Sequence, residues 1–327
     1  MRKVGRSRFH LYAAAFAFGQ CLACDASAQN YPNKPVYMVL GSAAGGGVDS
    51  ITRVLAPNLS DHLGQPVVIE NRAGASGAIA TERVAKALAD GYTLTLLSSN
   101  AVIVSVLRTN LPYSLERDLA PVSLVTSAPQ VLVVHPSVPA RNVKELIALA
   151  RSRPGKLNYG SDGVGSFAHL VGELFSSMAN VKLVHVPYKG APAAAMATAA
   201  GETSMNFPSL TSALPFLKTG KFRLLAVTSA KRSSLMPTIP TLDESGVPGY
   251  DNTNWMGVFA PAAVPKNILA QLNAALGKVV NTPEMKESIN KIGQEPQTNS
   301  PEQFAAFVRS ETAKFAKLIN LIGLEAE

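Results

Sequence analysis

Short runs rich in Val, Ile, Leu and Thr alternate with helical patterns along most of this chain, and that alternation limits the folds open to it. VYMVLG (36–41), QPVVIEN (65–71) and GYTLTLLSSN (91–100) predict three strands, with helices over 50–63 and 78–89 between them. A βαβαβ series of this kind builds a parallel sheet with helices on both faces. Pro57, inside the first helical stretch, predicts a kink or a shifted boundary.

The series then restarts. APVSLVTSAPQVLVVHP (120–136) predicts a long strand, VKELIALARSRPG (143–155) a helix with Leu146, Leu149 and Ala150 on one face, and LNYGSDGVGS (157–166) a strand and turn. SFAHLVGELFSSMAN (166–180) is helical, KLVHVPYKG (182–190) a strand and turn, and FRLLAVTSA (222–230) a second long strand. NWMGVFAP (254–261) and two terminal helices, 265–280 and 301–323, complete the chain. The expected fold class is α/β, with two lobes that are each a mainly parallel sheet flanked by helices. Lobe 1 takes 29–127 plus 229–327 and lobe 2, inserted into it, takes 128–228. Crossings near 122–134 and 222–229 form the hinge. A length of 327 residues, more than one core usually organises, agrees with two units.

The N-terminus reads as a targeting signal. MRKVGRSRFH supplies four bases, LYAAAFAFGQCLAC an apolar stretch, and Ala26-Ser27-Ala28 a small-x-small cleavage site. The expectation is a signal peptide over 1–28, cleaved after Ala28, and a periplasmic protein. Cys21 and Cys24, the two cysteines of the chain, fall within it. The mature protein then has no thiol for disulfides, catalysis or metal. Lipidation at Cys24 is the lesser alternative. The formal net charge is +8. The signal removes more bases than acids and leaves the remainder mildly basic. Without a Lys/Arg stripe or interleaved aromatics nucleic acid is a poor fit, while anionic small molecules are mildly favoured.

GSAAGGGVDS (41–50) follows the first strand and opens a helix. A phosphate-binding P-loop needs Gly-Lys-Ser/Thr, and Val48-Asp49 stand there instead. Gly45-x-Gly47-x-x-Ser50, with Glu70 after the next strand, comes closer to a dinucleotide fingerprint, so a dinucleotide-dependent enzyme is the alternative reading. Against it stand the export signal and a second glycine loop in the other half, SDGVGS (161–166). Ser166 is placed to cap the helix that follows. A further helix opens after RAGASG, with Gly74 and Gly77. Helix N-termini from two facing lobes offer free N–H groups and partial positive charge, enough to hold a carboxylate without Arg or Lys.

Catalytic patterns are sparse. No HExxH occurs, and His62, His135, His169 and His185 lack metal-ligand spacing, so neither metal nor cofactor is expected. Tyr159 replaces the first glycine of a nucleophile elbow around Ser161. Ser166-x-x-His169 reads as a cap and a partly buried helix residue, and Trp255 as core. Asp49 orients the first loop or accepts a ligand amine. Tyr188-Lys189 sits at a strand's carboxyl end, where a cleft role is plausible.

YPNKPVYMVLGSAAGGGVDS, LGQPVVIENRAGASGAIATERVAKALADGYTL, LNYGSDGVGSFAHLVGELF, HVPYKGAPAA, LLAVTSAKRSSLMPTIPTLDESGVPGY and NWMGVFAPAAVP occur in that order. Together they resemble the Bug family, the extracytoplasmic solute receptors of tripartite tricarboxylate transporter systems. The resemblance spans nearly the whole mature chain. It implies a type II periplasmic-binding-protein fold, not an enzyme, working as a monomer on a small carboxylate. Transporter membrane subunits or a sensor protein would be its partners. It also implies that the loops Ser42–Gly47 and Gly163–Ser166 approach the ligand from opposite lobes. The expected site is Ser42, Ala43, Gly45, Gly46, Gly47 and Asp49, with Ser99 and Asn100 on the floor. Gly163, Gly165 and Ser166 face them, and Tyr188 and Lys189 close one side. Ser42 adds a hydroxyl where an aromatic is common in the family. Ala197, Ser204 and Pro208 stand where acids are common, which points away from amino acids and towards simple or aromatic carboxylates.

Overall fold

The computed structural model describes residues 31–324. The expectations for the signal peptide, its cleavage after Ala28 and both cysteines lie outside the described residues.

The first unit is the βαβαβ series. Strand β1 (Val36–Leu40) leads into helix α1 (Gly47–Leu63), β2 (Val67–Asn71), α2 (Ala78–Ala85) and β3 (Thr93–Ser98). β1 pairs in parallel with both β2 and β3. Pro57 neither ends nor divides α1, which runs to a left-handed Gly64. α2 stops at Ala85, short of the expected 89. The third strand ends sooner than expected, because Ser99–Leu107 forms helix α3. Its composition, SNAVIVSVL, is β-branched and gives little helical signal, yet its apolar side chains find a core there.

The 120–136 stretch is two strands. β4 (Leu119–Pro129), entered through the short α4 (Leu115–Asp118), and β5 (Val131–Val134) meet at Gln130 and belong to different sheets. The chain then builds α5 (Val143–Ser152), β6 (Asn158–Ser161), α6 (Phe167–Met178), β7 (Val184–Pro187), α7 (Ala191–Ala200), β8 (Met205–Asn206), α8 (Leu210–Lys218) and β9 (Arg223–Val227). On α5 the buried face is Val143, Leu146, Ile147 and Ala150, with Leu149 beside it. β9 is shorter than expected. Residues 228–252 carry the chain back in turns, their ends tied by Asn252 N–H donating to Thr228 C=O (2.8 Å). β10 (Thr253–Pro261), α9 (Lys266–Val280), α10 (Pro283–Lys291), β11 (Glu295–Pro296) and α11 (Pro301–Leu321) complete lobe 1. α10 was not among the expected helices.

Two sheets result, ordered β11-β4-β10-β3-β1-β2 and β7-β6-β8-β5-β9. They are mixed rather than mainly parallel. β10 runs antiparallel between β3 and β4, and β5 antiparallel between β8 and β9. The cause is the inserted topology: strands returning from the other lobe enter from the opposite end. One buried cluster joins the units, holding Val39 and Trp255 of the first with Leu132 and Phe175 of the second. Trp255 is 1% exposed, a core residue as expected. At the crossing, Thr228 N–H donates to Gln130 C=O (3.0 Å) and Gln130 N–H donates to Thr228 Oγ1 (2.9 Å).

Candidate functional site

In lobe 1 the helices α1, α2 and α3 start at the carboxyl ends of β1, β2 and β3. Their N-terminal turns border one cavity of about 240 Å³, lined by Ser42, Ser76, Gly77, Ser98, Asn100 and Tyr113 among others. None of the three helices has a side-chain cap; their N-cap residues are Gly46, Gly77 and Ser98. Three positive dipole ends therefore share one volume, with the first N–H groups of α1 and α3 left open; at α2 a tight turn over 75–77 already takes Gly77 N–H (to Gly74 C=O, 2.9 Å) and Ala78 N–H (to Ala75 C=O). The Ser42 hydroxyl oxygen is buried and has no hydrogen-bond partner among the described residues. A buried polar atom left so costs free energy until something pairs with it.

The glycine loop is held from behind. Asp49, fully buried, accepts from Gly45 N–H (2.8 Å), Arg53 Nε (2.7 Å) and Asn71 Nδ2 (2.9 Å). The Arg53 hydrogen bond and then the Gly45 amide hold its carboxyl down to about 2. Gly46 N–H donates to Ala43 C=O (3.1 Å). The amides of Gly45 and Gly46 are thus engaged within the loop. Those of Gly47, Val48 and Asp49 precede the first helical bond, Ser50 N–H to Gly46 C=O (2.8 Å). Asp49 thus braces the loop from inside lobe 1.

Next to this loop the chain runs left-handed through four successive residues, Gly74 (φ 141°), Ala75 (47°), Ser76 (55°) and Gly77 (92°). Positive φ at Ala75 and Ser76 is strained backbone, of a kind that gathers at ligand clamps. Gly41 makes the close approach possible, since a Cβ there would lie 2.5 Å from Gly77 Cα. In the sequence RAGASG marks only a helix start. Two non-glycine residues in left-handed conformation leave no sequence signal beyond the flanking glycines.

A second cavity, about 310 Å³, lies between the lobes. Lobe 1 supplies Ser76, Asn100 and Arg108, and lobe 2 supplies Asp162 and Gly163–Ser166. The two cavities share Ser76, Asn100 and Val104. Ser166 caps α6 as expected, accepting from His169 N–H (3.2 Å). Gly163 N–H donates to Ser161 Oγ (3.2 Å) and Gly165 N–H to His169 Nδ1 (3.1 Å). Arg108, missed in the sequence, donates to Ala75 C=O (3.3 Å). It follows α3 as the residue that ends that helix, and α3 itself carries little helical signal in the sequence, so nothing there points Arg108 at the cleft.

Of the expected residues, Ser42 and Asn100 come together with Gly163, Gly165 and Ser166 on the joined cavities. Ala43, Gly45, Gly46, Gly47 and Asp49 form and brace the adjacent loop. Ser99 does not line either cavity; it is 1% exposed and its hydroxyl donates to Asn254 Oδ1 (2.6 Å). Tyr188 and Lys189 also stand off both. Tyr188 lies over Gly160, its N–H donates to Ser161 C=O (2.9 Å), and burial with Glu202 nearby raises its pKa. A larger cavity of about 420 Å³, lined by Leu115, Val308 and Thr312, lies on lobe 1 alone and touches none of the glycine loops.

Residues 51–324 match the family described as Tripartite tricarboxylate transporter family receptor. The chain belongs to this family. It is 35% identical to Protein BugT of Bordetella pertussis over 92% of this chain and 93% of that one. Among solved structures it is similar to R. palustris Rpa4515 with adipate, with a TM-score of 0.75, 35% identity and coverage of 90% and 98% of the two chains. It is also similar to MatC from Rhodopseudomonas palustris with bound malate, with a TM-score of 0.71, 28% identity and coverage of 88% and 100%. The fold is the two-lobed one of periplasmic binding proteins. Family and fold are those of solute-binding receptors, not of enzymes. No helix among the described residues is long and apolar enough to cross a membrane.

Proposed function

We propose that this receptor is exported to the periplasm, where it captures a small organic carboxylate between its lobes for uptake by the membrane subunits of a tripartite transporter. The observation that carries the reading is the meeting of three helix N-termini without side-chain caps with a partnerless buried hydroxyl, Ser42, in one cavity. Backbone N–H groups and dipole ends stabilise an anion, and the Ser42 O–H donates to it. Adipate and malate in two similar receptors support the ligand class.

In this reading the ligand carboxylate sits on the Ser42–Gly47 loop and the start of α1, with Asn100 on the floor. Gly163, Gly165 and Ser166 close over it when the second lobe, 128–228, rotates against the first, 29–127 plus 229–327. The Ser166 hydroxyl accepts from His169 N–H and keeps its own proton to donate. The receptor acts as a monomer, cleaved after Ala28.

A thermal-shift panel of adipate, malate, succinate, benzoate and NAD(H) tests this. A carboxylate at ~100 times its Kd should stabilise the fold by about 2.7 kcal/mol. A shift with NAD(H) alone, or a chain in periplasmic extracts that still carries residues 1–28, refutes the proposal.

A further inference from the structure

Both lobes use one device behind the ligand loop. In each, the residue four positions after a loop glycine accepts that glycine's N–H: Asp49 from Gly45 (2.8 Å) and His169 from Gly165 (3.1 Å). The acceptors differ in kind. A carboxylate accepts whenever it is ionised. An imidazole accepts at Nδ1 only while neutral, with its proton on Nε2, because the protonated ring has N–H at both nitrogens.

His169 is fixed in place. It is 6% exposed, its ring stacks on His185 at 3.8 Å, and its Nε2 lies 3.9 Å from Glu173 Oε1. His185 stacks in turn on Tyr159 (5.1 Å) and has Nε2 2.6 Å from Ser161 Oγ. The Tyr159 hydroxyl donates to Glu173 (2.7 Å). The ring cannot swing away without breaking this stack.

We propose that His169 is the positioning residue of the second lobe's ligand loop, and that the receptor holds its carboxylate only while this imidazole is neutral. The inference rests on the receptor reading above. Protonation sets a second N–H against Gly165 N–H and pushes the Gly163–Ser166 loop off its anchor. The titratable groups around His169 are Asp162 on the loop, Glu173 on its own helix, His185 from β7 and Tyr159 from β6. Leu321 to Leu324, packed nearby, carry no titratable side chain among the described residues. Burial holds His169 down to about 4, with Asp162 opposing. Burial and then His169 hold His185 down to about 4, with Glu173 opposing. The loop is therefore held at neutral pH and released as pH falls through about 4, while Asp49 in lobe 1 stays charged.

The test is titration calorimetry of the receptor with the tightest binder among adipate, malate, succinate and benzoate, from pH 7 to 3.5. The proteins are wild type, His169→Asn and His169→Leu. Asn offers Oδ1 where His offers Nδ1 and does not titrate. His169→Leu should lose at least about tenfold in affinity at pH 7, while His169→Asn stays near wild type. At pH 3.5 wild type should fall about fourfold relative to His169→Asn, the share of neutral His169 setting the ratio. Ligand protonation is common to both and cancels; because His169 itself lowers His185, both proteins are also compared in a His185→Asn background. Affinity unchanged in His169→Leu, or wild type and His169→Asn weakening in parallel, overturns the inference and leaves the receptor reading intact. A wild type that binds none of the four acids at pH 7 overturns both.

Discussion

Asp49 stays charged although no part of its side chain reaches solvent, because three donors surround it. Asp49→Ala leaves Gly45 N–H and Asn71 Nδ2 without their acceptor. It should cost about 2 kcal/mol in urea denaturation, and carboxylate affinity should fall with it. With the carboxyl lowered to about 2, this contribution is complete above the ordinary 3.8 and lost as pH falls through about 2. The histidines act earlier in pH. His169 and His185 are both lowered from 6.5 to about 4, so the unfolded chain takes up their protons first. The melting temperature should be steady above pH 6.5 and decline towards pH 4, and His169→Asn should flatten that decline. A melting curve equally steep in His169→Asn would assign the acid limb to other groups.

At the level of elements, helix starts divide into closed and open ones. Ser300 closes α11 with a full capping box, and Ser166 closes α6. Ser166→Ala and Ser300→Ala should each cost about 1 kcal/mol in stability. Only Ser166→Ala should also weaken carboxylate binding, by calorimetry, because only that cap faces the cleft. α1 and α3 are left open where the ligand is proposed to sit. Gly257 on β10 shows the opposite, a crowded element contact. A Cβ there would run into the Phe304 ring of α11, which packs between Trp255 and Phe259. Gly257→Ala should destabilise the protein by about 1–3 kcal/mol through overpacking, measured by thermal melting without ligand.

In the whole molecule the lobes share one buried cluster and a hydrogen-bonded crossing at Gln130 and Thr228. Phe167 of α6 also meets Phe315 of α11 edge-on at 6.2 Å, a contact between lobes. The lobes should therefore unfold together. Trp255 fluorescence and far-ultraviolet circular dichroism should trace one urea transition with one midpoint. Two separated midpoints would show that the lobes fold independently.

Strand-and-helix alternation, the inserted unit and both glycine loops were legible in the sequence because they rest on local periodicity and on Gly, Ser and Pro at turns. The Ser166 cap was legible too, since capping is settled within four residues. Sheet polarity was not: β10 runs antiparallel because of where the chain re-enters lobe 1, a long-range matter that no local pattern records. α3 stayed hidden because its β-branched residues prefer strands, and burial overrode that preference. Ser99 looked equivalent to Asn100 in the sequence. Only tertiary structure turned one hydroxyl to Asn254 and left the other side chain in the cleft. Local residue order set the turns and helix starts able to receive an anion. Tertiary structure decided which of their N–H groups are already used by Asp49 and His169, because hydrogen-bond partners are assigned by packing and not by residue type.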